Sequence, residues 1–254
     1  MKILVTNDDG IDAPGLWALA SELAKVGEVV VFAPVNEQSG IGTGITLHRS
    51  VELKTVEPVI RGVTAYAVGG TPGDSVLLGL EVFKEASMVF SGINRGANMG
   101  HDVLLSGTVG AALQGYLHGR PSVAVSVAAG SKEARYEVAA RLASVLARKI
   151  AGNGSEHILL NVNLPNLPLE EISGIELTRV GQGGYSSALM MGPDGSPDKY
   201  RISIGQLVWN PETGTDLHAV DSGKISITPL RGELSAAEKL PMPRELLAVL
   251  LEEM

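Results

Sequence analysis

The chain has 254 residues, of which 44% are hydrophobic and 19% are charged, and this balance is typical of a globular protein with a buried core. Its formal net charge of -8 argues against binding to a nucleic-acid polymer, because such binding needs a clustered lysine and arginine surface. The lack of cysteine excludes disulfides, thiolate zinc sites and cysteine nucleophiles.

The N-terminus carries no signal-peptide pattern. A short apolar segment at 3–5 runs directly into the polar residues 7–9, without a longer apolar region between them. Elsewhere no apolar stretch reaches about 18 residues, the length needed to span a bilayer. We therefore expect a cytoplasmic protein with no membrane partner.

The first 34 residues predict a strand, a helix and a second strand. The apolar run at 3–5 ends in the turn-forming sequence NDDG, and Pro14 then opens a helical repeat of apolar residues. Residues 29–33 form a fully apolar strand that ends at Pro34. Two apolar strands that flank one helix indicate a parallel sheet with a right-handed crossover.

The alternation of strands and helices continues to about residue 165, so we expect an α/β fold. A polar, glycine-rich loop follows the second strand, and two segments of alternating polarity come next. The predicted elements are strands at 51–56 and 63–68, a helix at 72–84, a strand at 88–91, a helix at 108–118, a strand at 122–127, a helix at 133–150 and a strand at 158–162.

After residue 170 the pattern changes to short alternating strands, which favours hairpins. We expect one domain over 1–254, with a core at about 1–170, an arm at about 171–242 and a C-terminal helix at about 243–254. A hairpin arm has few partners within its own subunit, so we expect self-association through it. Whether a dimer or a tetramer results stays open.

Asp8 and Asp9 stand directly after the first predicted strand, at the edge where ligands bind in parallel α/β sheets. Two adjacent carboxylates repel each other, and a hard divalent cation relieves the repulsion. We expect one Mg²⁺ or Mn²⁺ ion per subunit here. The same sequence is also typical of a polar turn with an aspartate that caps the next helix, so both interpretations stay open.

Polar residues that follow other predicted strands favour the metal site. Ser39 and Asn94 each offer a neutral oxygen to a cation held by carboxylates, which leaves positions for water and a phosphate oxygen. The predicted metal ligands are therefore Asp8, Asp9, Ser39 and Asn94. Of these, we expect Asp8, Asp9 and Asn94 to act in catalysis.

Ser106, Gly107 and Thr108 lead into a predicted helix, whose first N–H groups and positive end favour a phosphate group. We predict that these three residues bind substrate, together with Gly40 of the loop that carries Ser39. Simple N-capping by Ser106 or Thr108 uses the same geometry, and the sequence does not separate the two roles.

Asn98 lies between Gly96 and Gly100 in a tight loop, where it either orients a substrate or only forms a turn, and we predict substrate binding. His101 follows this loop. It is a candidate general acid or hydrogen-bond donor to phosphate, with a structural or surface role as the alternative.

Five motifs together identify a family resemblance. They resemble those of the SurE (survival protein E) family of nucleotidases, and the match covers nearly the whole chain. The motifs are ILVTNDDG at 3–10, APVNEQSG at 33–40, SGINRGANMG at 91–100, SGTVGAA at 106–112 and TDLHAVDSGKISITPL at 215–230.

The resemblance implies a Rossmann-like parallel-sheet core with helices on both faces, a projecting C-terminal β-hairpin arm, and dimers or tetramers. It implies a divalent metal at positions that match Asp8, Asp9, Ser39 and Asn94. It further implies hydrolysis of nucleoside 5′- and 3′-monophosphates, with short polyphosphate as a further substrate of some members.

Two other functions compete with hydrolysis. A nucleotide-binding sensor with an inert site shares every binding feature and differs only in turnover. A receiver-like switch also places an acidic pair after its first strand, but it needs a phospho-acceptor aspartate after a later parallel strand, and the corresponding strand here leads to Asn94.

Overall fold

The computed structural model describes residues 1–153, 158–191, 200–209 and 212–233, and for 184–191 and 200–209 it describes the backbone only. The predicted C-terminal helix at 243–254 lies outside the described residues. No helix in the described part of the chain combines the length and apolarity needed to cross a membrane.

The helices and strands follow the predicted order through most of the chain. They are β1 (Lys2–Thr6), α1 (Pro14–Leu23), β2 (Glu28–Pro34), β3 (Leu53–Val56), β4 (Thr64–Val68), α2 (Pro72–Val82), β5 (Met88–Asn94), α3 (Gly107–Leu117), β6 (Ser122–Ala128), α4 (Glu137–Asn153), β7 (Leu159–Pro165), β8 (Ile175–Leu177), β9 (Gly183–Met191), β10 (Tyr200–Trp209), α5 (Asp216–Asp221) and β11 (Ile225–Pro229). Short 3₁₀ helices cover Gly100–Leu104 and Leu169–Glu171.

Nine strands form one mixed sheet in the order β3-β4-β2-β1-β5-β6-β7-β11-β8. The central strands from β4 to β7 are parallel, while β3 and β11 pair antiparallel with their neighbours β4 and β7. This arrangement confirms the predicted α/β fold. Because β1 lies between β2 and β5, the loops that follow these three strands meet at one edge of the sheet.

Helices cover both faces of the sheet, because its central strands are apolar on both sides. Ile3 and Val5 of β1 face the core that α1 and α4 complete, whereas Leu4 faces the core that α2 and α3 complete. All three side chains are fully buried. Burial on both faces explains why β1 reads as a continuous apolar run.

Several element boundaries differ from the sequence prediction. β5 extends to Asn94, so this residue ends the strand instead of following it, and α4 begins at Glu137. β8 and β11 extend the main sheet beyond β7, although the sequence places both in the arm, and α5 was not predicted. β9 and β10 form a separate two-stranded antiparallel sheet, which is the hairpin expected in this segment.

Gly15 sets how closely α1 approaches the end of β5. A Cβ atom at Gly15 would lie 2.1 Å from the Ile93 carbonyl oxygen, a backbone atom that cannot move aside. We expect Gly15→Ala to lower the free energy of unfolding by about 1–3 kcal/mol, in the range of overpacked cores.

Gly152→Ala is the matched control, because Gly152 lies in α4 with no atom within 4 Å of its Cβ position. It should stabilise by up to about 1 kcal/mol through helix propensity. Urea denaturation followed by circular dichroism measures both variants. Equal effects of the two substitutions would contradict the close packing of α1 on β5.

Candidate functional site

The turn after β1 is shaped by Asn7, which is fully buried. Its amide nitrogen donates to the Gly10 carbonyl at 2.9 Å, and the Gly10 N–H donates back to its side-chain oxygen at 3.3 Å. Gly10 has a φ of 101°, which favours glycine. This turn, which the sequence NDDG predicted, places Asp8 and Asp9 at the carboxyl edge of the sheet.

Asp8 is 5% exposed and lies against the first turn of α3. The Thr108 hydroxyl donates to its carboxylate. A Cβ atom at Gly107 would lie 2.8 Å from the Asp8 Cβ, so only glycine lets the helix start this close. The structure therefore brings Asp8, Gly107 and Thr108 together, as the sequence predicted for a phosphate site beside a metal site.

The two carboxylates lie in surroundings that disfavour negative charge. Burial is the main cause that raises the pKa of Asp9 to about 6, followed by the charge of Asp8, while Arg95 opposes the rise. Burial also raises the pKa of Asp8, against the hydrogen bonds from Thr108. A cation beside these carboxylates would remove the unfavourable interaction.

The loop after β2 is held beside Asp8. The Gln38 N–H donates to the Asp8 carbonyl at 2.8 Å, and the Gly42 N–H donates to the Leu105 carbonyl at 2.9 Å. Ser39 is exposed, and its hydroxyl donates to the Glu37 carboxylate at 2.6 Å. Because the hydroxyl acts as a donor in this bond, its lone pairs stay available to a cation.

Gly40 and Asn94 are two further residues predicted to belong to the site. Gly40 is exposed, with a φ of 75° and open space around its Cβ position. The Asn94 amide nitrogen donates to the Gly96 carbonyl at 2.7 Å, which leaves the amide oxygen as the available ligand atom. The next residue, Arg95, lies close enough to Asp9 to lower its pKa, so the end of β5 lies beside the carboxylate pair.

The predicted donors thus come from the loops after β2 and β1 and from the last residue of β5, and these three strands are neighbours. Among the described residues, no group of three or more histidine, cysteine, aspartate or glutamate side chains is placed to hold a metal ion. A cation here therefore needs neutral oxygens in addition to the two carboxylates. Carboxylate, hydroxyl and amide oxygens are a donor set that fits Mg²⁺ or Mn²⁺.

Ser106 caps α3, as its alternative interpretation expects. Its hydroxyl accepts a hydrogen bond from the Val109 N–H at 3.1 Å. This role does not conflict with anion binding, because a helix start leaves further N–H groups without intrahelical partners. His101 lies exposed in the preceding 3₁₀ helix, a position that fits both of its candidate roles.

Asn98 is buried in a network of amide groups. Its side chain donates to the Ser126 hydroxyl at 2.9 Å, and its N–H donates to the Asn163 side chain at 2.8 Å. Its carbonyl accepts hydrogen bonds from the side chains of Asn161 and Asn163 at 2.8 and 3.0 Å. The sequence reading missed both of these β7 residues, although two asparagines at alternate positions of an apolar strand are an unusual pattern.

Fold and site together define an α/β protein with two adjacent carboxylates, one of them buried, beside the N-terminus of a helix. The family model described as "Survival protein SurE" matches residues 3–187. This chain belongs to the SurE family.

Relatives named 5'-nucleotidase SurE are similar to this chain along most of their length. The one from Dehalococcoides mccartyi strain CBDB1 is 42% identical over 238 residues, which are 92% of this chain and 90% of the relative. The one from Moorella thermoacetica is 46% identical over 241 residues, with 92% of each covered. The crystal structure of the SurE protein from Aquifex aeolicus has a TM-score of 0.81 at 36% identity, over 97% of this chain and 100% of that one.

Asp9→Asn should stabilise the metal-free protein. Because the folded pKa of Asp9 is about 6 instead of 3.8, its ionisation costs stability as the pH rises through this interval, and the full cost is present above pH 6. We expect a gain on the order of 1 kcal/mol at pH 7.5, or about 2–4 °C in Tm for a chain of this size. Thermal unfolding in EDTA measures it.

The variant's advantage should shrink as the pH falls from 6 towards 4, where the wild-type carboxyl becomes protonated. Asp12→Asn is the matched control, because Asp12 is an exposed aspartate close by in the chain. A stabilisation equal in both variants, or independent of pH, would show that Asp9 is not held in an unfavourable environment.

Proposed function

We propose that this protein is a metal-dependent nucleotidase that hydrolyses nucleoside monophosphates to nucleoside and phosphate. The observation that carries the proposal is Asp8, buried against the N-terminus of α3, next to the partly buried Asp9. A cation on the carboxylates and an anion on the helix start would lie side by side there, which is what a phosphate ester bound to a metal needs. The name of the relatives, 5'-nucleotidase SurE, agrees with this chemistry.

Asp8, Asp9, Ser39 and Asn94 would hold one Mg²⁺ or Mn²⁺ ion per subunit. When bound, such an ion neutralises phosphate charge and lowers the pKa of a water ligand. Asn94 contributes the oxygen that its bond to Gly96 leaves available, and Ser39 contributes its hydroxyl lone pairs. Thr108 holds Asp8 in place through its hydroxyl, which fixes one carboxylate before the ion arrives.

The first turn of α3 would bind the phosphate. The first N–H groups of α3, at Gly107 and Thr108, and the positive end of the helix would stabilise the charge on the equatorial oxygens. Ser106 caps the turn, and Asn98 orients the adjoining loop. Water would attack phosphorus in line, and its proton would pass to a free carboxylate oxygen of Asp8 or Asp9. The bond from phosphorus to the ribose oxygen would break, and that oxygen would take a proton from solvent to give the nucleoside.

Apolar surface beside the site supports a nucleoside as the rest of the substrate. Ile41, whose methyl group would lie 3.0 Å from a Cβ at Gly107, is 39% exposed, and Leu104 and Leu105 are 67% and 60% exposed. Such side chains offer a surface on which a base packs. Nothing in this surface selects the position of the phosphate on the ribose, so we extend the proposal to 5′- and 3′-monophosphates and, by the same chemistry, to short polyphosphate.

Self-association through the arm is part of the proposal. The β9–β10 hairpin forms its own two-stranded sheet, and such a sheet is marginally stable alone in water. Packing against a second subunit would cover it and give a dimer or a tetramer. Light scattering of the intact protein measures the mass, and a monomer at all concentrations would contradict this part.

The activity test is phosphate release from a panel of nucleoside 5′- and 3′-monophosphates with Mg²⁺, Mn²⁺ or EDTA. We expect release with metal and none in EDTA. Asp8→Asn should lower kcat/KM by at least about 100-fold, because it removes a ligand and not merely an outer-shell partner. Asp12→Asn, which changes an exposed aspartate of the same loop region, should retain wild-type turnover.

Two outcomes would change the assignment. Nucleotide binding without turnover under any metal would favour the sensor, which shares the binding site but lacks the reaction. Release that persists in EDTA and in Asp8→Asn would place hydrolysis elsewhere in the protein. The receiver-like switch is disfavoured already, because β5 ends in Asn94 and not in an aspartate.

A further inference from the structure

Asp216 is a fully buried carboxylate outside the predicted site, at the first position of α5. One of its oxygens accepts a hydrogen bond from the Gly100 N–H at 3.0 Å. The other accepts hydrogen bonds from the N–H groups of Gly181 and Leu217 at 2.8 Å each. A single side chain thus joins three segments that are far apart in sequence.

Two of these segments connect the site to the hairpin. Gly100 begins the 3₁₀ helix that leads to the start of α3, and Gly181 lies two residues before β9. The contact is close, because a Cβ atom at Gly100 would lie 2.2 Å from the Gly183 carbonyl oxygen. Gly100 also has a φ of 55°, so glycine is required there on both grounds.

Hydrogen bonds also connect the loop at Gly100 with the helix start, because the Asp102 N–H donates to the Met99 carbonyl at 3.2 Å. The Asp102 carbonyl accepts from the N–H groups of Leu105 and Ser106 at 3.0 Å each, and the Ser106 hydroxyl then accepts from the Val109 N–H. The loop at Gly100 is therefore connected through a few hydrogen bonds to the first turn of α3. That turn also holds Asp8.

The other half of the loop has its own support. Asn98 is fixed by Asn161 and Asn163 of β7, which do not contact Gly100 through any of these bonds. Below the loop, Met99 packs with Leu217 and Val220 of α5 in a small buried cluster. Asp216 thus provides the polar restraint on the second half of the loop, next to an apolar one.

We propose that Asp216 is a positioning residue for the phosphate-binding turn. It ties Gly100 to the base of the β9–β10 hairpin and so sets where α3 begins relative to Asp8. The role follows from geometry, since a buried carboxylate that accepts three backbone N–H groups fixes the segments that donate them. The inference rests on the proposed function, because it assumes that this turn binds phosphate.

Asp216→Asn tests the role selectively. The amide keeps one oxygen, which can still accept from Gly181 and Leu217, but its nitrogen would face the Gly100 N–H as a second donor. The substitution therefore removes only the bond to the site loop. Asp221→Asn is the matched control, because Asp221 ends the same helix and is exposed.

Three measurements on the intact protein follow. In wild type the Gly100 amide should resist hydrogen exchange, and in Asp216→Asn it should exchange at least about tenfold faster while amides of the central sheet keep their rates. With Mn²⁺ present, the affinity for inorganic phosphate should fall about tenfold, and KM should rise with it. Mn²⁺ affinity should fall less than phosphate affinity, because Asp216 contacts none of the predicted ligands directly and reaches Asp8 only through the first turn of α3.

A merely structural role would lower Tm but leave the phosphate affinity of the folded protein unchanged, and that result would overturn the proposal. Rapid exchange of Gly100 in wild type would overturn it as well, even if the variant does not fold. Absence of turnover in wild type, with Gly100 protected and phosphate bound, would count against the nucleotidase and leave the positioning role supported.

Discussion

The repulsion between Asp8 and Asp9 is the interaction around which the rest of the site is arranged. Burial raises the pKa of both groups, and the charge of Asp8 raises the pKa of Asp9 further, so the folded chain holds them at a cost in stability. Thr108 and Arg95 offset part of this cost, but neither is a full counter-charge on the pair. A divalent cation would supply the missing positive charge. The same two residues would then determine both the stability of the metal-free protein and the proposed reaction.

The sheet holds the two carboxylates in place despite this cost in stability. β2, β1 and β5 are neighbours, so the loops that carry Ser39 and Asp8 lie at the same edge as Asn94, the last residue of β5. Close backbone approaches complete this arrangement, since Gly107 lets α3 start against Asp8 and Gly15 lets α1 approach the end of β5. Side chains of loops are thereby held by strands and helices, which fix geometry better than a loop alone.

The C-terminal third of the described chain contributes to the site without entering it. β7 supplies Asn161 and Asn163, which hold the loop at Asn98, and α5 supplies Asp216, which holds the same loop at Gly100. The hairpin base at Gly181 shares the carboxylate of Asp216. The base of the hairpin and the loop that leads to α3 are therefore connected through Asp216, so a displacement of the hairpin would affect the start of α3.

The sequence by itself determined the α/β order and the candidate donors, because β1 and β2 contain continuous apolar runs, β5 opens with the apolar residues 88–90, and polar residues stand at or after the strand ends. Local pattern also predicted a helix from about residue 108, and α3 begins at Gly107 with Ser106 as its cap. Only the tertiary structure decided that Asn161, Asn163 and Asp216 support the site loop, and that β8 and β11 extend the main sheet. The hydrogen bonds of Asn161, Asn163 and Asp216 to the loop join residues that are 63 to 116 positions apart in sequence. Local periodicity carries no information on contacts across such separations.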